Sequence, residues 1–183
     1  MKSRDATHEL WPHDFAAKFR GEVSRRLRRA DFTFGFETQN TGEAPFTFEI
    51  ASHTYFRVSD VRNIQIEGLE GKTYLDNLDG SERKIQNGAI AFSGETDRVY
   101  LDSGGPITLR DRANIIQISG NESWRSTVVW NPWIDKSRAL ADLGDDEWPG
   151  FVCIESGAIA DDAVTLGVGE KYTLSLQIDF RTS

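Results

Sequence analysis

Phe32-Thr33-Phe34-Gly35-Phe36-Glu37 is the stretch that decides the fold class. Phenylalanine returns at every second position, and Thr33, Gly35 and Glu37 stand between. That period of two is the mark of a strand with one face buried. Upstream, a strand opens at Trp11-Pro12-His13-Asp14-Phe15 and continues through Ala17, Phe19 and Gly21. Between the two lies the basic run Arg25-Arg26-Leu27-Arg28-Arg29, read as a solvated hairpin connection, with a phosphate or partner patch as the alternative. Residues 1–9 read as unstructured or as a strand edge. Downstream, Asn40-Thr41-Gly42-Glu43 is a turn that ends at Pro45. In the stretch that follows, alternation puts Phe46, Phe48 and Ile50 on one face and Thr47, Glu49, Ala51, His53 and Tyr55 on the other. His53 therefore faces away from the apolar residues, towards a cleft or solvent.

Further short strands are expected over residues 63–67, 73–75, 89–92, 97–101, 107–109, 115–118, 127–130, 150–155, 164–168 and 172–180. One helix is expected over 135–143: Asp135 caps it, Ala139, Leu140 and Leu143 form its apolar stripe, and Gly144 stops it. Short strands spaced by turns, with one short helix, predict an all-β sandwich or barrel. Neither repeat nor linker interrupts the chain, so residues 1–183 are expected to form a single domain.

Composition narrows the function. Only 38% of residues are hydrophobic, but 11 Phe and 5 Trp bury enough area for a core. A net charge of −8 argues against nucleic acid as a partner, because a phosphate backbone needs a basic field. The first residues are polar and no apolar run approaches membrane-spanning length, so a cytoplasmic location with no membrane partner is expected. A single cysteine, Cys153, excludes an intrachain disulfide. It reads as a small buried residue. Three histidines, His8, His13 and His53, with no Cys or His at ligand spacing argue against zinc. The run Asp76-Asn77-Leu78-Asp79-Gly80 lacks the spacing of a calcium loop. His13 reads as a structural histidine at a strand start. Glu155 ends the apolar strand Phe151-Val152-Cys153-Ile154, on the face of Phe151 and Cys153. Either it turns out to water or it belongs to a site, and partial burial would raise its pKa towards that of a general base.

Six stretches occur in an order that resembles the hexose-6-phosphate mutarotases, or glucose-6-phosphate 1-epimerases, a branch of the aldose 1-epimerase group. They are Trp11-Pro12-His13-Asp14-Phe15, Asn40-Thr41-Gly42 with Pro45-Phe46, and His53-Thr54-Tyr55-Phe56. Then come Glu95-Thr96-Asp97-Arg98-Val99-Tyr100, Thr127-Val128-Val129-Trp130-Asn131-Pro132-Trp133 and Phe151-Val152-Cys153-Ile154-Glu155. The resemblance implies an antiparallel β-sandwich of the galactose mutarotase-like type. It implies interconversion of the anomers of a hexose 6-phosphate or related aldose, without cofactor or metal. His53 is then the acid towards the ring oxygen, Glu155 the base on the anomeric hydroxyl, and Asp97 a ligand of sugar hydroxyls. The family carries a further N-terminal portion before its Trp-Pro-His-Asp word, with a Gly/Pro-rich segment and a His-Gly-Phe-Ala-Arg word. The chain is thus expected to match the C-terminal part of the family's domain and to leave sheet edges uncovered, which a second copy would cover as a homodimer. The alternative expectation is a non-catalytic carbohydrate-binding or structural remnant of the same sandwich.

Overall fold

A computed structural model describes residues 1–182. In chain order the strands are β1 (Phe15–Arg26), β2 (Arg29–Asn40), β3 (Phe46–Phe48), β4 (Ile50–Ser52), β5 (Tyr55–Arg57), β6 (Gln65–Glu67), β7 (Thr73–Asp76) and β8 (Glu82–Ile85). They continue with β9 (Thr96–Tyr100), β10 (Ile107–Asp111), β11 (Asn114–Gly120), β12 (Ser126–Asn131), β13 (Phe151–Ala158), β14 (Val164–Leu166) and β15 (Lys171–Thr182). Two short helices, α1 (Asp5–His8) and α2 (Trp133–Ala139), complete the set with a few 3₁₀ turns.

The fold is an antiparallel β-sandwich. One sheet runs β1-β2-β15-β11-β10-β6; the other runs β4-β13-β12-β9-β7-β8, with β5 also on β13. β3 and β14 pair apart from both. The phenylalanine alternation explains the first sheet. Phe32, Phe34 and Phe36 of β2 stand opposite Ile178, Leu176 and Leu174 of β15, while Thr33, Gly35 and Glu37 oppose Gln177, Ser175 and Thr173. Two strands with the same period thus pair apolar with apolar on one face and polar with polar on the other. One core cluster takes in residues of both sheets, among them Leu174, Ile118 and Leu109 of the first and Val129, Val152 and Ile154 of the second. Each such side chain, fully withdrawn from water, contributes roughly 1.5–3 kcal/mol.

The arginine run forms the expected hairpin end, with Arg26 opposite Arg29 and Arg28 in the left-handed region at φ 61°. β1 is an edge strand whose outer half is exposed, Phe19 and Val23 included. At the turn over 76–80, Lys84 Nζ lies 2.9 Å from Asp76 and 2.7 Å from Asp79, so a lysine satisfies those carboxylates.

Three expectations need correction. Residues 1–9 are a strand edge only at their start, where Lys2 bridges to Ala16; Asp5–His8 then form the one-turn helix α1, closed by Thr7 Oγ1 donating to the Arg4 carbonyl. The strand expected over 89–92 reduces to one bridge, in which Ile90 and Ile66 exchange backbone hydrogen bonds. Gly88 at φ 68° and the bends at Ser93 and Gly94 keep its neighbours out of any ladder. The helix spans Trp133–Ala139 rather than 135–143. Its first turn is held by Asn131, whose Oδ1 accepts from the Trp133 amide at 3.0 Å, so Asp135 falls inside the turn, where its charge suits the helix dipole. Leu140 is already extended, which ends the helix early.

Candidate active site

β13 carries two chemistries on its two faces. Val152, Ile154 and Ala158 point into the core cluster. Phe151, Cys153 and Glu155 alternate with them and point to the opposite, outward face of the second sheet. β4 and β5 are two pieces of one edge strand along β13. Ser52 stands opposite Ser156 and Tyr55 opposite Cys153, so the register is the same on both sides of the break. That register sets His53 directly across from Glu155, and the Ile154 amide still donates to the Thr54 carbonyl at 3.3 Å. His53 Nε2 lies 3.3 Å from Glu155 Oε1.

The two partners differ in setting. Glu155 is 7% exposed, whereas about half of the His53 side chain is open to solvent. Among the described residues, His53 alone comes within ion-pair distance of the Glu155 carboxylate. Burial therefore pushes the Glu155 pKa from its ordinary 4.5 up to about 7, and the charge of Asp97 pushes the same way. Asp97 stands on β9 opposite Trp130, which itself stands opposite Cys153. One strand, β12, separates β9 from β13, so Asp97 lies two strand spacings, about 10 Å, across the sheet from β13. Its carboxylate accepts from Asn77 Nδ2 at 2.9 Å. Cys153 lies wholly buried at the foot of the pair, and burial with the Glu155 charge raises its thiol pKa.

The structure thus brings His53 and Glu155 into contact and sets Asp97 on the same outward face. His8 and His13 lie elsewhere. His8 Nε2 is 3.0 Å from Asp14 Oδ1 at an exposed position. The His13 ring packs against Trp11 and Phe46, as a structural histidine does. Sequence reasoning missed the aromatic wall of the site. Tyr55 stacks on the His53 ring at 4.9 Å and 15°, and Trp130 meets that ring edge-on at 6.0 Å. Phe151 packs against both Tyr55 and Trp130. The available signal was parity: Tyr55 shares the face of His53, and Phe151 shares the face of Glu155.

The sequence profile of the family described as aldose 1-epimerase matches residues 1–179. The chain belongs to the aldose 1-epimerase family. A relative from Cenchrus ciliaris is 36% identical over 172 residues, which cover 90% of this chain and 50% of the relative. One from Escherichia coli K12 is 32% identical over 158 residues, or 85% of this chain and 50% of that protein. Both carry the name "Putative glucose-6-phosphate 1-epimerase". This aldose 1-epimerase family chain therefore spans about half the length of the curated relatives it matches. A Salmonella typhimurium crystal structure described as a "putative mutarotase" superposes with a TM-score of 0.84 at 25% identity, covering 100% of this chain and 59% of that one. A galactose mutarotase related enzyme from Lactobacillus acidophilus shares the fold with a TM-score of 0.73 at 14% identity, over 100% of this chain and 66% of its own. The family and the galactose mutarotase-like sandwich are those to which the ordered sequence words pointed.

Proposed function

We propose that this chain carries the acid–base pair of a mutarotase that interconverts the α and β anomers of a hexose 6-phosphate. The observation that carries the reading is the apposition of His53 and Glu155 at 3.3 Å, with the glutamate buried enough to titrate near neutrality. O1 and O5 of a pyranose sit on the same carbon, so an acid and a base side by side serve both at once. The Glu155 carboxylate takes the O1 proton, C1=O forms, the C1–O5 bond breaks, and protonated His53 gives its proton to O5. Rotation about C1–C2 turns the aldehyde over. On reclosure O5 returns its proton to His53, and Glu155 returns the other to O1 on the opposite face. A base with a pKa near the working pH suits this exchange of roles. Asp97, on the same face, accepts hydrogen bonds from ring hydroxyls and fixes the sugar's orientation. The names of the curated relatives support the choice of substrate.

Exchange NMR on glucose 6-phosphate tests the proposal. The protein is expected to speed α-to-β exchange, and Glu155→Gln is expected to abolish the effect. Exchange at the uncatalysed rate at high protein concentration would refute it. The wall of Tyr55, Trp130 and Phe151 favours a second reading, a sugar-binding surface without turnover. In that case sugar still binds to Glu155→Gln, and wild type gives no acceleration.

A further inference from the structure

We propose that His53, Cys153 and Glu155 together form a site for a thiophilic divalent cation, Zn²⁺ in the first instance, and that the ion blocks the acid–base pair. Cation binding stands on geometry alone; blocking rests on the mutarotase reading above.

The three side chains come from two adjacent strands, so linear spacing hides them as a group. Cys153 and Glu155 are two apart on β13 and share its outward face, and His53 stands across from Glu155. One donor atom from each, imidazole nitrogen, thiol sulfur and carboxylate oxygen, lies within 4.8 Å of the other two. A tetrahedral Zn²⁺ binds nitrogen and oxygen at about 2.0–2.1 Å, which sets those ligands about 3.3–3.4 Å apart. His53 Nε2 and Glu155 Oε1 already stand 3.3 Å apart. The Zn–S bond is about 2.3 Å, which sets the sulfur about 3.6 Å from the other two donors, a separation inside the 4.8 Å that already encloses all three. Three protein ligands leave a fourth position for a solvent ligand, and about half of the His53 side chain is open to solvent.

Charge favours a cation there. Glu155 and Asp97 share the face, and among the described residues neither has a Lys or Arg within ion-pair distance. A bound divalent ion would supply the missing positive charge. The sulfur decides which ion. Ca²⁺ and Mg²⁺ take oxygen ligands, whereas a thiolate with an imidazole selects Zn²⁺ and its neighbours. Coordination replaces the S–H bond of Cys153 by S–Zn and releases one proton to solvent. Tyr55, opposite Cys153 on β5, is 57% exposed and stands outside the core cluster, so access to the thiol requires its ring to move but not the core. Once bound, the ion occupies the His53 nitrogen and a Glu155 oxygen that O5 and O1 would use.

The test uses the full chain and the metals alone. Calorimetry with ZnCl₂ is expected to give a dissociation constant of about micromolar or tighter. Co²⁺ is expected to show thiolate-to-metal charge-transfer absorption that disappears in Cys153→Ser. Cys153→Ser and the exposed-site variant His53→Ala are each expected to weaken Zn²⁺ at least about tenfold. Binding changed less than threefold in both variants, a Co²⁺ complex without the thiolate band, or no binding up to millimolar metal overturns the site. In the anomer-exchange assay, micromolar Zn²⁺ is expected to cut the wild-type rate at least tenfold, reversed by EDTA. Full activity with Zn²⁺ bound overturns the blocking. A wild type inactive without metal defeats the mutarotase reading and leaves the binding test to stand or fall by itself.

Discussion

Glu155→Gln separates the electrostatics of the site from its chemistry, because stability can be read without any substrate. The Glu155 carboxyl is raised from 4.5 in an ordinary setting to about 7 in the fold, chiefly by burial. The folded state therefore holds this proton more tightly than the unfolded chain. Below the unfolded pKa both states are protonated and the group has no effect. Between the two values the unfolded chain loses its proton first, so stability falls as pH rises, and the loss is complete above the folded pKa. A tenfold difference in proton affinity between the two states corresponds to about 1.36 kcal/mol. The full effect is then about 3 kcal/mol, most of which falls between pH 5 and pH 8. The side chain is only 10% exposed, so screening by solvent takes little from this. Glutamine keeps the shape and cannot ionise. Urea unfolding of wild type and variant at both pH values isolates the contribution, since other titrations cancel in the difference. Relative to wild type, the variant is expected to gain about 2 kcal/mol on going from pH 5 to pH 8. With a slope near 2 kcal/mol/M that is about 1 M of urea in the midpoint. A difference that stays flat within about 0.5 kcal/mol would show that the carboxylate is solvated as well in the fold as outside it.

If Glu155 is the base, kcat/KM for anomer exchange rises as pH passes about 7, and Asp97→Asn moves that limb to lower pH, because the Asp97 charge helps to raise the Glu155 pKa; an unmoved limb in a pH–rate series counts against the coupling. Gly157→Ala places a Cβ 2.0 Å from the Ile50 carbonyl oxygen, so β4 must leave β13; a loss of about 3 kcal/mol in urea unfolding is expected, with lower activity as His53 moves with its strand. Asn131→Ala removes the donor shared by the Trp148 and Phe151 carbonyls, each at 2.9 Å, and the acceptor that starts α2. About 2–3 kcal/mol is expected from leaving buried carbonyls unpaired, and a loss under about 0.5 kcal/mol would mean water replaces the amide.

The sheets are readable wherever alternation is strong. Phe32, Phe34 and Phe36 announce β2, and the matching period of Leu174, Leu176 and Ile178 announces its neighbour. Reading fails where local patterns compete with non-local bonds. Ile90 sits in an apolar run, yet positive-φ Gly88 leaves it one bridge instead of a strand. The helix start escapes a local reading because its first turn is held by Asn131, outside the apolar stripe that marks the helix. For the site, parity is enough to face His53 and Glu155 away from the core. Parity cannot say that two residues a hundred positions apart share a register. That comes from β4 and β5 lying along β13, a long-range pairing seen only in the structure; the family resemblance supplied the joint role of the two residues, not the register.

The division of labour along β13 explains how an ionisable cluster persists on a folded sheet. Val152, Ile154 and Ala158 lie in the core and fix the backbone by packing, while Cys153 and Glu155, one step out of phase, inherit that placement. Protein cores are dense enough that such a strand has little freedom to drift. Cross-strand register with β13 places the His53 backbone, and Tyr55 and Trp130 hold its ring. The cost falls on a single group, the Glu155 carboxyl. It is buried, with the Asp97 charge two strand spacings away and no Lys or Arg within ion-pair distance among the described residues, and it answers by holding its proton to about pH 7. The raised Glu155 carboxyl and the unpaired negative charge that the proposed cation would answer are thus two consequences of one arrangement. Adding a positive charge at the rim would remove both, lowering the Glu155 pKa and the affinity for Zn²⁺ together.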